Sequence, residues 1–498
     1  MEETIKKEKV ILLILDGFGI GEHNKHTNAI YAANTPFFDE MDKLYSRAEL
    51  YASEEYVGIK KNQFGNSELG HMTIGSGRTI LGIDEIFNKL IDEHQAEQFL
   101  LEQPWVKDAL EKDNVVHICG MYSSGCVHSN KKHIDYLLEF FQARNKKVAL
   151  HLISDGRDTK GNVFLSDLQS LQDKLAPTSK IISLSGRFYA MDRDKNWDRT
   201  ELYYQAMNQS GSSFYDGDLI DYVKEQYQSG IDDEFIKPIY KRESNYLFQP
   251  NDDLIFANYR ADRIVQIIEL FNNKQIKLIG LCSYPNAKLD AIIIDKQVIN
   301  HTLGDLLIEN NIRQLRVAET EKFAHVTYFF DAGRNISNPL QDQILINSPK
   351  VKTYNLKPEM SAEEITKTII DSIPKYDFIL ANFANADMVG HTGDFEATKT
   401  AIEFLDKKCA TLYNNLIGIW DGTLIITADH GNADKMLDSN NQVVKTHSIA
   451  KVPFYVLSNK YKLKSFTGKL QDVAPSILYI YNINKPKDMS GENLIEVK

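Results

Sequence analysis

Cysteine is scarce in this sequence: there are 4 in 498 residues, and none lies in a C-x-x-C pair. This spacing argues against a thiolate metal site or a disulfide framework and favours isolated buried thiols in a reducing compartment. Long apolar runs are also missing, since no stretch approaches the ~20 residues that span a bilayer. The run Val10–Leu15 is too short for the core of a signal peptide. We therefore expect a cytoplasmic protein without a membrane partner.

An excess of positive charge is missing as well. Lys and Arg number 57 against 69 Asp and Glu, which gives a formal net charge of -12. A chain this acidic lacks the broad basic face that nucleic acid requires, so no nucleic-acid partner is expected. Arginines that converge locally can still bind a small anion. The composition is that of a globular protein, and the length predicts two or three domains.

Short apolar runs alternate with amphipathic segments along nearly the whole chain. Continuous apolar runs are typical of strands covered on both faces, and residues 395–417 carry apolar side chains at helical spacing. This alternation predicts an α/β fold with largely parallel sheets flanked by helices. The predicted strands are Val10–Leu15, Val115–Cys119, Val148–Ile153, Lys180–Leu184, Leu254–Ala257, Ile276–Leu281, Phe378–Ala381, Leu424–Thr427 and Phe454–Leu457.

Carboxylate and imidazole side chains follow three of these runs. Asp16 comes directly after the first run, Asp387 follows Phe378–Ala381 by a few residues, and Asp429 with His430 follows the apolar stretch that ends at residue 427. Sites in α/β proteins lie at the carboxyl ends of strands. Taken alone, Asp16 is a common start of a loop, and the dipeptide Asp429-His430 can occur by chance. Their conjunction with Asp387 predicts a shared metal site.

Two further histidines extend this ligand set. His391 lies four residues after Asp387, so on one helical turn both side chains reach the same ion. His447 lies in Lys445–Ser448. Carboxylate and imidazole ligands without a thiolate favour Mn²⁺, Mg²⁺ or Zn²⁺, and Mn²⁺ accepts both donor types. The competing interpretations are a solvated helix face for Asp387 and His391, and a surface histidine for His447.

The positions of these candidates also predict the domain organisation. Asp16 and Ser67 lie near the N-terminus, whereas the remaining candidates lie near the C-terminus. If they share one site, the N-terminal segment must fold with the C-terminal third. We therefore predict a metal-binding domain formed by residues 1–79 and 300–498, and an inserted substrate-binding domain formed by residues 80–299.

Ser67 is the candidate nucleophile for transfer of a phosphoryl-type group. It lies in the glycine-bearing segment Phe64–His71, and a serine hydroxyl needs a base or a metal to lose its proton. One alternative is a helix N-cap with Glu68 in the first turn. A serine hydrolase is another competitor: the order Ser, Asp, His fits that class, although the pattern G-x-S-x-x-G is one residue out of register with its G-x-S-x-G turn.

These residues, in this order, resemble the alkaline phosphatase superfamily and, within it, most closely the cofactor-independent phosphoglycerate mutases. The resemblance covers essentially the whole chain. It implies an alkaline-phosphatase-like, mostly parallel sheet with a second α/β domain inserted. The matching motifs are Leu15–Gly19, Asn66–His71, Ser154–Asp158, Gly186–Asp194, Asn258–Arg263, Thr320–Thr327 and Thr446–Ser448.

The resemblance also implies an activity. It is the interconversion of 3-phosphoglycerate and 2-phosphoglycerate by a monomer, without 2,3-bisphosphoglycerate. Two Mn²⁺ ions are implied, with Mg²⁺, Co²⁺ or Zn²⁺ as alternatives. A phosphatase, a phosphodiesterase or another phosphosugar mutase on the same core is the nearest rival. A non-catalytic metal-binding protein is the rival from another class.

Roles for individual residues follow from the resemblance alone. Ser67 becomes the phosphoserine, Asp158 exchanges protons with the glycerate hydroxyls, and domain closure completes the site. One Mn²⁺ is held by Asp387, His391 and His447, and the other by Asp16, Ser67, Asp429 and His430. The substrate site is lined by His128, Arg157, Asp158, Arg187, Arg193, Arg260, Arg263 and Lys322.

Overall fold

A computed structural model describes residues 7–260, 263–272, 274–295 and 298–498. Ala261 and Asp262, which belong to the motif Asn258–Arg263, lie outside the described residues. The strands are β1 (Val10–Leu15), β2 (Ala48–Tyr51), β3 (Val115–Met121), β4 (Lys147–Ser154), β5 (Ser179–Gly186), β6 (Ile239–Tyr240), β7 (Asp253–Phe256), β8 (Lys277–Gly280), β9 (Ala291–Ile292), β10 (Gln314–Glu319), β11 (Gln341–Ile346), β12 (Phe378–Phe383), β13 (Thr423–Thr427), β14 (Val452–Ser458), β15 (Tyr461–Leu463), β16 (Thr467–Lys469) and β17 (Ile495–Val497).

Helices alternate with these strands. They are α1 (Ala29–Ala32), α2 (Pro36–Leu44), α3 (Ser67–Ser76), α4 (Ile83–Asp92), α5 (Ala96–Glu102), α6 (Pro104–Glu111), α7 (Lys131–Gln142), α8 (Phe164–Gln172), α9 (Arg187–Ala190), α10 (Trp197–Met207), α11 (Leu219–Gln228), α12 (Val265–Phe271), α13 (Leu303–Glu309), α14 (Ala362–Ser372), α15 (Asn385–Gly390), α16 (Phe395–Trp420) and α17 (Val473–Ile480). Among the helices of the described residues, none is both long and apolar enough to cross a membrane.

The chain divides into two compact units. Unit 1 comprises residues 1–81 and 298–498, and unit 2 comprises residues 82–297. The main sheet of unit 1 has the order β11-β10-β12-β1-β13-β14-β2-β16. Its strands from β11 to β13 are parallel, whereas β14 runs antiparallel to both β13 and β2. All six residues of β1 are buried, as its uninterrupted apolar sequence predicts for a central strand.

Unit 2 contains a second sheet of order β6-β5-β4-β3-β7-β8-β9. Its pairings are parallel except at β6. The prediction of an α/β fold with largely parallel sheets is therefore confirmed. Each predicted strand is present, with ends within two residues of the prediction. Strands β10 and β11 are absent from the prediction because polar residues interrupt them, including Arg316, which is fully buried.

Two histidines lie in the core of unit 2. His117 Nδ1 lies 3.0 Å from His151 Nε2, and His151 Nδ1 lies 2.8 Å from Ser183 Oγ. Both imidazoles stack on Phe248, with ring centroids 3.9 and 5.5 Å away. Burial lowers the pKa of His117 and lowers that of His151 further. The two rings are therefore neutral in the folded unit at pH 7.

We expect unit 2 to lose stability as the pH falls below about 6.5, the ordinary value for histidine. Below this pH, both imidazoles bind protons in the unfolded chain but not in the folded unit. The free energy of unfolding therefore falls by up to ~1.4 kcal/mol per pH unit for each proton bound. Urea unfolding between pH 7.5 and 5 measures the slope. Replacing the exposed His301 by glutamine should leave the slope unchanged. A free energy of unfolding that stays constant over this range would refute the prediction.

Candidate active site

Three adjacent parallel strands of unit 1 end beside one another. Strand β1 pairs with β12 and β13. Asp16 follows β1, Asp387 lies in α15 after β12, and Asp429 follows β13. Because the carboxyl ends of parallel strands meet at one edge of a sheet, these carboxylates converge. Asp16 lies beside residues 429 and 430, as a shared site requires: ligand atoms of all three lie within 4.8 Å of one another, and His430 Nε2 is 3.4 Å from Asp16 Oδ1.

Helix α3 brings Ser67 to the same place. The interpretation of Ser67 as the helix cap is wrong: Asn66 caps α3 by accepting a hydrogen bond from Leu69 N at 2.9 Å, and Ser67 is the first helical residue. Ser67 Oγ instead donates to Asp16 Oδ1 at 3.2 Å and lies 3.0 Å from His430 Nε2. The hydroxyl is thus directed into the group of carboxylates and imidazoles.

His391 and His447 meet at the carboxylate of Asp387. Their Nε2 atoms lie 3.2 and 3.4 Å from Asp387 Oδ1 and 3.1 Å from each other. His391 Nδ1 donates to Lys445 O at 2.7 Å, and His447 Nδ1 donates to Gly65 O at 2.8 Å. Since a carbonyl oxygen only accepts, each Nδ1 carries the hydrogen. In the neutral rings the Nε2 lone pairs then face the carboxylate, which is the arrangement of metal-ligating imidazoles.

Lys322, predicted to line the substrate site, lies within this group of unit 1. Its Nζ donates to Asp16 Oδ1, Ser67 Oγ and Asp387 Oδ2, each at 2.7 Å. Burial lowers the pKa of Lys322, but the carboxylates of Asp16 and Asp387 outweigh burial and raise it. In turn, burial raises the pKa of Asp16, but Lys322 and His430 together outweigh burial and lower it. Lys322 is therefore a fixed positive charge beside the Ser67 hydroxyl.

The donor set fits divalent cations. Ligand atoms within 4.8 Å of one another form two groups, Asp387 with His430 and His447, and Asp16 with Asp429 and His430. His430 thus belongs to both groups, and His391 adjoins the first. The buried Asp429 Oδ2 accepts no hydrogen bond from the part of the chain that the structure describes. Burial lowers the pKa of His430, yet Asp429 and Asp16 raise it to about 9, so the cluster strongly favours added positive charge. Oxygen and nitrogen donors without a thiolate match Mn²⁺, Mg²⁺ or Zn²⁺.

In unit 2, three predicted site residues surround the buried carboxylate of Asp155. Arg187 Nη1 donates to Asp155 Oδ1 at 2.7 Å and to Asp158 Oδ2 at 2.5 Å. The backbone N–H groups of Arg157 and Asp158 donate to Asp155 Oδ1 at 3.2 and 3.0 Å. Burial raises the pKa of Asp155, but hydrogen bonds from Ser123, Asp158 and Arg187 outweigh it and lower the pKa. Asp155 therefore shapes the loop that carries Arg157 and Asp158.

The other predicted substrate residues of unit 2 have different surroundings. His128 is buried, and its carbonyl oxygen accepts a hydrogen bond from Tyr259 N at 2.9 Å. Arg263 Nη1 donates to Met191 O at 3.3 Å. Arg157 Nη2 forms an ion pair with Glu234.

Arg193 and Arg260 are exposed. Arg260 lies in non-helical backbone, and α12 begins only at Val265. The three-residue spacing of Arg260 and Arg263 would place both on one helical turn if this segment were helical, but Ala261 and Asp262 between them lie outside the described residues.

Several residues that contact the site are absent from the predicted set. Asn382 Nδ2 donates to Asp16 Oδ2 at 2.8 Å, and Asn432 Nδ2 donates to Asp387 Oδ1 at 2.8 Å. His71 Nδ1 lies 3.2 Å from Asp429 Oδ2. One signal for Asn382 is present in the sequence, since an amide at the end of a buried apolar strand needs a polar partner. His71 lies in the Ser67 motif without a sequence signal of its own.

Comparison with known proteins places the chain in a family. A family model described as the metalloenzyme superfamily matches residues 8–485. The 2,3-bisphosphoglycerate-independent phosphoglycerate mutase of Malacoplasma penetrans is 39% identical over 507 residues, which cover 99% of this chain and 100% of the relative. The enzyme of the same name from Staphylococcus aureus is 38% identical over 506 residues, which cover 98% of this chain and 99% of the relative.

A solved structure shares the fold. The crystal structure of Leishmania mexicana phosphoglycerate mutase at low cobalt concentration matches with a TM-score of 0.62 at 24% identity, covering 100% of this chain and 99% of that one. The fold agrees with the sequence relationship, which extends over the full length of the relatives. The chain therefore belongs to the metalloenzyme superfamily and, within it, to the 2,3-bisphosphoglycerate-independent phosphoglycerate mutases, which are isomerases.

Proposed function

We propose that this enzyme interconverts 3-phosphoglycerate and 2-phosphoglycerate through a phosphoserine at Ser67, without 2,3-bisphosphoglycerate. One observation carries most of the support: Ser67 Oγ lies between Lys322 Nζ at 2.7 Å and His430 Nε2 at 3.0 Å, and donates to Asp16. A serine buried among charged groups in this way is equipped to act as a nucleophile.

In the first step, Ser67 Oγ, which has lost its proton to solvent, forms a bond to phosphorus while the bond from phosphorus to the glycerate oxygen breaks. In the second step Oγ leaves phosphorus in the same ionised form. Lys322 stabilises the negative charge on Oγ and on the transferring group, because its ammonium is fixed by two carboxylates. When bound, two divalent cations would lower the pKa of Ser67 and neutralise phosphoryl oxygens. The residues that would hold them are Asp387, His391 and His447 for one, and Asp16, Ser67, Asp429 and His430 for the other.

We assign the proton transfers to Asp158. Its carboxylic acid protonates the leaving glycerate oxygen, and the resulting carboxylate then accepts the proton of the other hydroxyl, which attacks the phosphoserine. The proton returns to Asp158, and the net reaction is an isomerisation. The hydrogen bond from Arg187 holds the carboxylate of Asp158 in one orientation.

Guanidinium groups suit the phosphate and the carboxylate of the substrate, because each presents two parallel N–H donors. Together with Lys322 of unit 1, the residues proposed to bind the substrate are His128, Arg157, Arg187, Arg193, Arg260 and Arg263.

The direct test supplies purified enzyme with Mn²⁺ and 3-phosphoglycerate alone. The proposal requires 2-phosphoglycerate as the product, detected by a coupled assay or by phosphorus NMR. Release of inorganic phosphate at the same rate would show a phosphatase instead. Mn²⁺ as the metal, a monomeric state and a cytoplasmic location also belong to the proposal. Metal analysis, sedimentation and cell fractionation measure these properties.

Replacement of Asp155 by asparagine should lower kcat by about 10²-fold, because the neutral amide no longer pairs with Arg187 and Asp158 loses its fixed position. The matched control is Asp253→Asn, which changes another buried carboxylate of unit 2, one hydrogen-bonded to Asn114. Steady-state kinetics and thermal unfolding of both variants separate a loss of activity from a loss of folding. Equal kcat values in the two variants would refute the positioning role of Asp155.

A further inference from the structure

Two buried side chains lie behind the carboxylates of the site without belonging to the proposed catalytic set. His71 is on α3, four residues after Ser67, and Asn382 is on β12, next to β1. Both are fully buried, with 0% of their surface exposed. Polar side chains in such positions are costly unless hydrogen bonds satisfy them.

Their contacts connect two of the proposed metal ligands. Asn382 Nδ2 donates to Asp16 Oδ2 at 2.8 Å and lies 3.1 Å from His71 Nε2. On the other edge of the imidazole, His71 Nδ1 lies 2.8 Å from Ser67 O and 3.2 Å from Asp429 Oδ2. A continuous chain of polar contacts therefore runs from Asp16 through Asn382 and His71 to Asp429 and the backbone of Ser67.

The chemistry of the groups allows one arrangement of hydrogens. Ser67 O only accepts, so His71 Nδ1 carries the hydrogen, and Nε2 of the neutral ring accepts. The amide nitrogen of Asn382 then donates one hydrogen to His71 and the other to Asp16. Rotating the amide by 180° would place its oxygen against the carboxylate of Asp16, where two acceptors repel. The hydrogen bonds from Asn382 to Asp16 and to His71, and from His71 to Ser67 O, therefore each have one direction.

We propose that His71 and Asn382 are positioning residues that orient Asp16 and Asp429 toward the cation of the set Asp16, Ser67, Asp429 and His430. The proposal rests on the proposed function, because it requires that cation. The hydrogen bond from Asn382 holds one oxygen of Asp16 and so presents the other at a fixed angle, while His71 Nδ1 lies against Asp429 Oδ2 at 3.2 Å. Outer partners of this kind change metal affinity by about 10- to 100-fold in other proteins. The second cation, at Asp387, has a different partner in Asn432.

The test compares Mn²⁺ binding to metal-free variants by electron paramagnetic resonance of the unbound ion. Asn382→Leu and His71→Phe remove the hydrogen bonds at similar side-chain volume, whereas His71→Asn keeps a donor near the position of Nδ1. The matched control is Asn385→Leu, since Asn385 is a fully buried amide that donates to Pro358 O at 2.8 Å. Thermal unfolding is followed in parallel.

We expect Asn382→Leu and His71→Phe to weaken one Mn²⁺ by about 10-fold or more while the other keeps its affinity. His71→Asn should lose less Mn²⁺ affinity than His71→Phe. Asn385→Leu should bind both ions with the affinity of the unmodified chain. Wild-type affinity for both ions in Asn382→Leu and His71→Phe would overturn the proposal. If both ions bound equally more weakly and the Tm fell as well, His71 and Asn382 would have only a structural role, which would also overturn the proposal.

The unmodified chain separates this proposal from the proposed function. If it binds Mn²⁺ but forms no 2-phosphoglycerate, the proposed function fails while the positioning role is still measured by the variants. If it binds no Mn²⁺, both proposals fail together.

Discussion

Replacement of Ser67 by alanine should abolish both turnover and the phosphoenzyme. The variant keeps the fold of α3, since Asn66 supplies the cap, but it removes the oxygen that Lys322 and His430 surround. Loss of a nucleophile that acts with its neighbours as a unit lowers the rate by at least about 10⁴-fold. Steady-state assays measure the rate, and mass spectrometry of the acid-quenched enzyme detects the phosphoryl group on the chain.

A serine of the same helix provides the control for this variant. Ser76 is buried near the end of α3, and its hydroxyl donates to Arg78 O at 3.0 Å, away from the carboxylates. Ser76→Ala should therefore form the phosphoenzyme and retain turnover within a few fold. If Ser67→Ala turned over substrate as fast as Ser76→Ala, Ser67 would be excluded as the nucleophile. The mechanism through a phosphoserine would then also be excluded.

Removal of divalent cations should abolish the mutase activity, and addition of Mn²⁺ should restore that activity. Asp16, Asp387 and Asp429 are buried close together, and Lys322 pairs with the first two, so without the cations the phosphoryl group would meet three neighbouring carboxylates. Their loss removes several kcal/mol of transition-state stabilisation, which corresponds to about 10³-fold or more in rate. Assays after chelation and re-addition of metal, with circular dichroism at each stage, measure the effect.

Comparison of metals refines this result. Restoration by Mn²⁺ at lower concentration than by Mg²⁺, Co²⁺ or Zn²⁺ would support Mn²⁺ as the working ion, since its ligand set mixes carboxylate and imidazole. The folded chain should survive chelation, because Lys322 pairs with two of the carboxylates. Full activity in a chelated sample that metal analysis shows to be ion-free would exclude the two-cation site.

Much of the architecture can be predicted from the sequence, because strands that are buried on both faces have continuous runs of apolar residues. β1, β12 and β13 could be predicted in this way, and acids that follow such strands point to the edge of the sheet where sites form. β10 escaped prediction because its buried Arg316 breaks the run; the guanidinium is accommodated by Gln314, 2.7 Å away, and by the rings of Phe330 and Phe378.

Some local details of the site depended on packing that no local pattern contains. The sequence leaves a helix cap open as an alternative role for Ser67, but Asn66 takes that role, and the serine hydroxyl points to Asp16. The glycine of the same motif matters through a distant contact: a Cβ at Gly70 would lie 2.5 Å from the backbone oxygen of Asp429. Only the approach of α3 to the loop after β13 makes this glycine necessary.

The sequence by itself determined which side chains could serve as ligands and nucleophile and which strands carry them, because residue chemistry and apolar patterning are local properties. The tertiary structure alone decided their pairing: Lys322 among the carboxylates, His430 in both ligand groups, and Asn382 and His71 behind them. Such pairing depends on the register of parallel strands that are hundreds of residues apart, and on the direction of each hydrogen bond. Neither quantity is encoded in a short stretch of chain.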